Sequence, residues 1–311
     1  MNDRKPIDAS AALIMLVLCA IWGFQQVAIK LAAGSMSPLL QMGLRSGLAA
    51  LATLGVIAWR GEGHAFRRHT ILPGLAIGVL FGTEFVLGGE ALRFTSASHT
   101  TIYVYSAPIA AAIGLGLLRR DERLRAGQWL GVALSFVGVI VAFSGETDAA
   151  RYPHMRLGDA LALGGALGWA CTTLVLRNSS LANAPASVTL FYQLAGAFVL
   201  CTGLAPIMHE TAFRVTPILL ASMGFQIVVV AFLSYLAWYA LLRRYSAARL
   251  GVLSFMTPIF GVIAGVTVLN DKLSGAFIIG AVLILAGIVV VSTADSIPAA
   301  AARLFRRRSP A

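Results

Sequence analysis

The chain has 311 residues, 58% of them hydrophobic and only 12% charged, with a mean hydropathy of +0.82. A soluble domain averages roughly 45–50% apolar and about 25% charged residues, so this composition excludes a soluble globular protein and predicts an all-α integral membrane protein. The net charge of +11 lies in short loops and at the C-terminal tail, where membrane topology accounts for it, and no nucleic-acid partner is expected.

Ten apolar spans follow one another, at about 10–32, 37–59, 71–92, 97–118, 126–145, 158–177, 187–206, 217–241, 250–269 and 274–292. Each is long enough to cross a hydrocarbon core of ~30 Å at about 1.5 Å rise per residue. The first is read as an uncleaved helix, because its apolar stretch is too long for a signal-peptide core and no small-x-small site follows it cleanly. Cys19, Cys171 and Cys201 all fall inside spans, as small core residues and not as a disulfide framework or metal site. No CxxC, HExxH, phosphate-cradling glycine loop or nucleophile elbow occurs. The chain is therefore not expected to be an enzyme or to carry a cofactor or metal.

Basic residues set the orientation. Of the 24 Lys and Arg, 17 fall before the first span, in the even-numbered loops or in the tail, among them Arg60, Arg67, Arg119, Arg243 and Arg306. Six fall on the opposite side: Lys30, Arg93, Arg151, Arg156, Arg214 and Lys272. The asymmetry predicts a multi-pass protein of the cell (inner) membrane with both termini cytoplasmic.

The second half echoes the first. IWGFQQVAIK (21–30) pairs with GWACTTLVLR (168–177), matching Trp22 to Trp169, Gln25 and Gln26 to Thr172 and Thr173, and Lys30 to Arg177. SAPIAAAIGLGLL (106–118) pairs with MTPIFGVIAGVTVL (256–269), aligning Pro108 with Pro258. The halves are 1–146 and 147–296, followed by a basic tail, 297–311. Five spans per half place the second repeat upside down relative to the first, the inverted-repeat pattern of secondary transporters.

The W-G-x-x-x-x-A-x-K pattern of the first span, S-P-x-x-x-x-x-L-R of the second, and P-x-x-A/G-x-x-x-G-x-x-x-x-x-[DE] near the fourth–fifth junction resemble the EamA modules of the drug/metabolite transporter superfamily. The resemblance covers both halves and implies a ten-helix transporter of small metabolites. Within it, the arrangement of Tyr105, Pro108 and Trp169 is similar to YddG-type exporters of aromatic and other neutral amino acids.

Candidate substrate-binding residues lie at mid-span: Trp22 with Gln25 and Gln26 on its face, the Thr101–Tyr105–Pro108 stripe, Trp169 with Thr172 and Thr173, and Pro258. For each a bland reading competes. The tryptophans can pack or face lipid, the prolines can merely kink, the threonines can bond back to their own helix, and the glutamines can act as interhelical glue. Gly74/Gly78/Gly82, Gly164/Gly168 and Gly261/Gly265 read as packing positions. Arg45 and Glu84 share one depth on sequential spans, which predicts an intramembrane ion pair, or else a coupling role for Glu84. Glu90, His99, Asp159 and Asn270 lie near span ends within reach of water and receive no role, and Lys30 marks the end of its helix.

A site of rings, methyls and neutral amides suits a neutral, partly apolar solute, so the expected substrate is a neutral, especially aromatic, amino acid or an amphipathic metabolite, exported across the lipid bilayer by alternating access without ATP. Proton-coupled multidrug or organic-cation efflux is the alternative, since cations also bind aromatic faces. A membrane scaffold or receptor without transport is the third reading, against which stand loops of only about ten residues. The sequence leaves monomer or homodimer open.

Overall fold

The computed structural model describes residues 8–118, 126–144, 150–234, 237–238, 241, 245, 253–254 and 256–293. The basic tail, the arginines at 119–125 and the start of the predicted span 250–269 lie outside them.

The helices are α1 (Ala9–Ala32), α2 (Pro38–Arg60), α3 (Arg68–Phe94), α4 (Ala97–Val104), α5 (Ala107–Leu118), α6 (Ala126–Ser144), α7 (Met155–Arg177), α8 (Ala186–Ile207), α9 (Pro217–Gly224), α10 (Thr257–Leu269) and α11 (Gly275–Thr293). Local chemistry sets their ends. Asp8 accepts the Ala11 N–H at 2.8 Å to start α1, and Ser37 does the same for Leu40 at 3.1 Å ahead of Pro38. Gly61 closes α2 in the left-handed region at φ +66°.

Among the described residues, seven helical stretches are long and apolar enough to cross a membrane, with three shorter apolar helices at Trp129–Ala142, Thr257–Leu269 and Gly275–Val290. Leu51, Leu72, Leu130, Ile140, Leu167 and Leu220 are among many large apolar side chains left exposed on them. Apolar surface this extensive on a helical bundle is matched only by a hydrocarbon solvent. The chain is a multi-pass membrane protein.

Two helices are irregular, and sequence accounts for one of them. The fourth span breaks after Val104 and resumes at Ala107, because Pro108 has no N–H to offer the Val104 carbonyl. The eighth continues from α9 into a π-helical stretch, Phe225–Ser234, a wide geometry that recurs at functional sites.

The helices pair across the two halves: α2 on α8, α3 on α7 and α8, α1 and α4 on α10, α5 on α7, and α6 on α11. Glycines permit the closest of these contacts. A Cβ on Gly78 would stand 2.8 Å from the Tyr192 carbonyl oxygen of α8, and one on Gly138 would stand 2.7 Å from the Gly280 oxygen of α11.

Candidate functional site

The two tryptophans occupy separate aromatic clusters. Trp22 of α1 turns toward the eighth span, where its indole Nε1 donates to Ser234 Oγ at 2.9 Å and its ring meets Trp238 edge-on at 5.7 Å. Ser234 ends the π-helical stretch, so the irregular backbone presents the hydroxyl that orients Trp22. Trp169 of α7 meets Tyr105 edge-on at 5.4 Å. Tyr105 is the C-cap of α4, at the break between α4 and α5. Both rings remain part-exposed, and both edge-on geometries suit the aromatic quadrupole.

A helix break interrupts the predicted Thr101–Tyr105–Pro108 stripe between α4 and α5. Thr101 is fully buried, donates back to the Ala97 carbonyl at 2.8 Å and packs where a side chain on Gly261 of α10 would stand. Tyr105 caps the same helix, its N–H bonding the Thr101 carbonyl at 3.1 Å, and the break separates both from Pro108 of α5. Thr172 and Thr173 donate to the carbonyls of Gly168 and Trp169 at 2.9 and 3.1 Å, spending their hydroxyl protons within α7. Pro258 is buried in the first turn of α10, where a proline loses no helical bond. Gln25 is part-exposed, whereas Gln26 is buried with its Oε1 lacking a partner among the described residues.

Arg45 and Glu84 are both buried inside the bundle. The Arg45 guanidinium lies 5.0 Å from the Phe85 ring centre and is the charge acting on Glu84. Glu84 stands against α7, close to where a side chain on Gly168 would be, and its Oε2 has no hydrogen-bond partner among the described residues.

A buried amide chain ties α1, α2 and α9 together. Gln41 Nε2 donates to the Met36 and Ile29 carbonyls at 2.8 and 3.1 Å, and its Oε1 accepts from Gln226 Nε2 at 3.0 Å. Ser222, which also accepts from Gln226, donates to the Ala28 carbonyl at 2.7 Å. Gln41→Leu is expected to lower stability by roughly 1–3 kcal/mol by orphaning buried groups; thermal unfolding in detergent measures this.

Span ends expected to be wet are instead sealed. His99 is 4% exposed and Asp159 is 3% exposed. His99 Nδ1 lies 3.0 Å from both Asp159 oxygens, and Thr95 Oγ1 donates to Asp159 Oδ1 at 2.6 Å. Asp271 accepts from the Ser98 N–H and hydroxyl at 3.0 and 2.9 Å. Lys30 does more than end α1. Its ammonium donates to the Leu92 carbonyl and, at 2.6 Å, to the Thr95 carbonyl, and it stands 4.5 Å from the Tyr152 ring centre. It thereby caps the C-terminus of α3 from another helix. Arg151 donates to the Leu269 carbonyl at 2.9 Å. Nearby, Arg93 joins Glu90 at 2.7 Å and also Glu210, and Ser35 bonds Thr216 at 2.9 Å. Glu90 is buried too, while Asn270 is exposed as expected. Apart from Arg93–Glu90, three positions apart, these contacts join partners 60 to 181 positions apart, beyond the reach of any local pattern.

A cavity of about 440 Å³ opens between α5, α6 and α7. It is lined by apolar side chains such as Ile109, Phe136 and Leu163, and none of the predicted site residues lines it. Phe136 and Leu167 at its rim are exposed on the lipid-facing surface.

A bundle of helices apolar and long enough to cross a membrane, with paired aromatics and buried neutral amides between them, is that of a polytopic membrane protein. The chain belongs to the EamA-like transporter family, which matches residues 9–144 and again 156–293. It is a membrane transporter of this drug/metabolite type. It is 28% identical to a protein of Salmonella typhimurium named "probable amino-acid metabolite efflux pump", over 89% of this chain and 93% of that one. The Escherichia coli protein of the same name shows the same identity and coverage. An uncharacterized Bacillus subtilis transporter, YvbV, is 25% identical over 94% of both chains. A crystal structure of a protein 24% identical superposes with a TM-score of 0.63, covering 91% of this chain and 97% of its own, and shares the fold.

Proposed function

We propose that this transporter exports neutral, above all aromatic, amino acids by alternating access. The observation that carries the reading is the chemistry of the two ring pairs, Trp22–Trp238 and Tyr105–Trp169, which stand part-exposed, with the Ser234 hydroxyl on the Trp22 indole. Such a lining rewards a flat apolar side chain and, among the described residues, offers no cluster of cations to a phosphorylated or dicarboxylate solute. The names of the enteric relatives support the substrate class. The pairing of helices between halves supports two inverted five-helix repeats forming ten spans, with α4 and α5 as one broken span. The basic asymmetry supports cytoplasmic termini in the inner membrane. From liposomes loaded with labelled phenylalanine, release is expected to be slowed by internal leucine or tryptophan. Competition by glutamate or a sugar phosphate instead would remove the substrate claim.

Coupling of transport to protons is favoured by one observation, the buried Glu84 carboxylate with its unpartnered Oε2. A charge at mid-bilayer costs roughly 2.5–3.5 kcal/mol on insertion scales, so a carboxyl held there is readily neutralised by a proton or a substrate ammonium. Glu84→Gln is expected to flatten the dependence of export on a pH gradient while leaving a folded protein. An unchanged gradient dependence assigns Glu84 to structure.

A further inference from the structure

We propose that the cavity between α5, α6 and α7 holds the acyl chain of a membrane lipid, inserted sideways from the bilayer behind the Tyr105–Trp169 pair. This site is independent of the amino-acid reading and needs only a membrane-spanning bundle. The packing explains why the space exists. α5 packs on α7, whereas α6 packs on α11. Gly138 of α6 faces Gly280 there at backbone contact, and Ser135 Oγ donates to the Ile284 carbonyl at 3.3 Å. α6 is thereby held against α11, and about 440 Å³ remains between it and the α5–α7 pair. Ile113, Val139 and Leu163 of the cavity wall pack on the same buried cluster as Trp169. Ser106, also on the wall, follows Tyr105 at the helix break. An occupant therefore backs one of the two ring pairs.

The lining selects the chemistry of that occupant. Both wall hydroxyls spend their protons on carbonyls, Ser106 on Tyr103 at 2.6 Å and Ser135 on Ile284. Among the described residues, no charged side chain lines the cavity. A zwitterion would bury its carboxylate and ammonium there without partners, which is costly; a hydrocarbon chain needs none. An apolar cavity of about 150 Å³ already stays dry and takes up benzene, and this one is roughly three times that size. The rim gives the source. Phe136 is 56% exposed and Leu167 59% exposed, so the opening is continuous with the apolar surface that meets lipid. Acyl chains are the solvent at that depth, and wall atoms facing a gap forfeit dispersion contacts that a chain restores.

The test is photolabelling of the full-length protein in liposomes containing phosphatidylcholine with a diazirine partway along one acyl chain, followed by peptide mapping. Adducts are expected on the wall, at Ile109, Ile113 or Leu163, in excess over Leu130 and Ile279, which are 67% and 59% exposed to lipid outside the cavity. Ala110→Phe and, separately, Ile113→Trp each add a ring to the cavity. Each is expected to lower adducts at the remaining wall positions by about tenfold, a loss of about 1.4 kcal/mol of affinity, while Leu130 and Ile279 label as before. Wall adducts no more frequent than those at Leu130 and Ile279 are ordinary contact with bulk lipid and overturn the proposal, a comparison that needs no variant to fold. Wall adducts that survive both substitutions overturn it too. So do adducts displaced by excess phenylalanine, which would put the cavity on the substrate path. Phenylalanine counterflow on the same liposomes separates the two claims: wall adducts without flux keep the lipid site and remove the substrate reading.

Discussion

Replacing Gly196 with leucine is expected to abolish the folded protein. Gly196 of α8 lies against Gly78 of α3, and a Cβ there would fall on the Gly78 backbone, its Cα, carbonyl carbon and oxygen. Backbone cannot turn aside as a flexible side chain can, so the helices must part. Overpacking alone costs about 1–3 kcal/mol, and parting also forfeits the dispersion contacts along the pair, because lipid tails offer no hydrophobic compensation for lost packing. The expected loss is at least about 3 kcal/mol, a large share of the ~5–15 kcal/mol that stabilises a typical protein. Gly203→Leu, two turns along the same helix, is the control. A Cβ at Gly203 meets nothing within 4 Å, and that variant should purify as a single species with unchanged melting. Size-exclusion profiles and melting curves in detergent decide between them.

The second large effect is on transport. Trp169→Ala and Trp22→Ala are each expected to lower the kcat/KM for phenylalanine export at least tenfold, about 1.4 kcal/mol of transition-state stabilisation. An aromatic pair contributes about 0.5–1.5 kcal/mol beyond its buried area, so removing one ring from each cluster loses that much before any substrate contact is counted. Phenylalanine replacements divide the contributions. Trp169→Phe keeps a ring edge for Tyr105, and should retain most activity. Trp22→Phe keeps a ring but abandons Ser234 Oγ, leaving a buried hydroxyl that already donates to the Val230 carbonyl. It should fall between wild type and alanine. Unchanged kinetics in both alanine variants would remove the tryptophans from the site.

The positions of the first helices were legible in the sequence as apolar spans, and local chemistry fixes their ends. Asp8, Ser37 and Pro38 mark their ends within three or four positions, and a mid-span proline broke the fourth span near where such a residue must. The packing glycines were legible as a spacing, although not their partners. The aromatic residues were legible as types at a depth. Their division into a Trp22 cluster and a Tyr105–Trp169 cluster was not, because helix rotation is set by tertiary neighbours such as Ser234 and Phe260.

The largest departure lies at span ends. His99, Asp159 and Glu90 sit where hydropathy places water, yet all three are buried, because side chains from five helices reach over one another there. Lys30 shows the same physics. A long cation at a helix terminus looks like a marker of the interface, and only its distance to the Thr95 carbonyl reveals a clamp between α1 and α3. Buried polar atoms demand partners, but a sequence names the atoms without naming the partners.

Movement of neutral aromatic amino acids across a membrane by this chain is read by counterflow. Purified protein in liposomes preloaded with unlabelled phenylalanine is diluted into a trace of labelled phenylalanine. Transient accumulation of label inside is expected, abolished in the Trp22→Ala/Trp169→Ala double variant. Label that never exceeds the level in protein-free liposomes would contradict it.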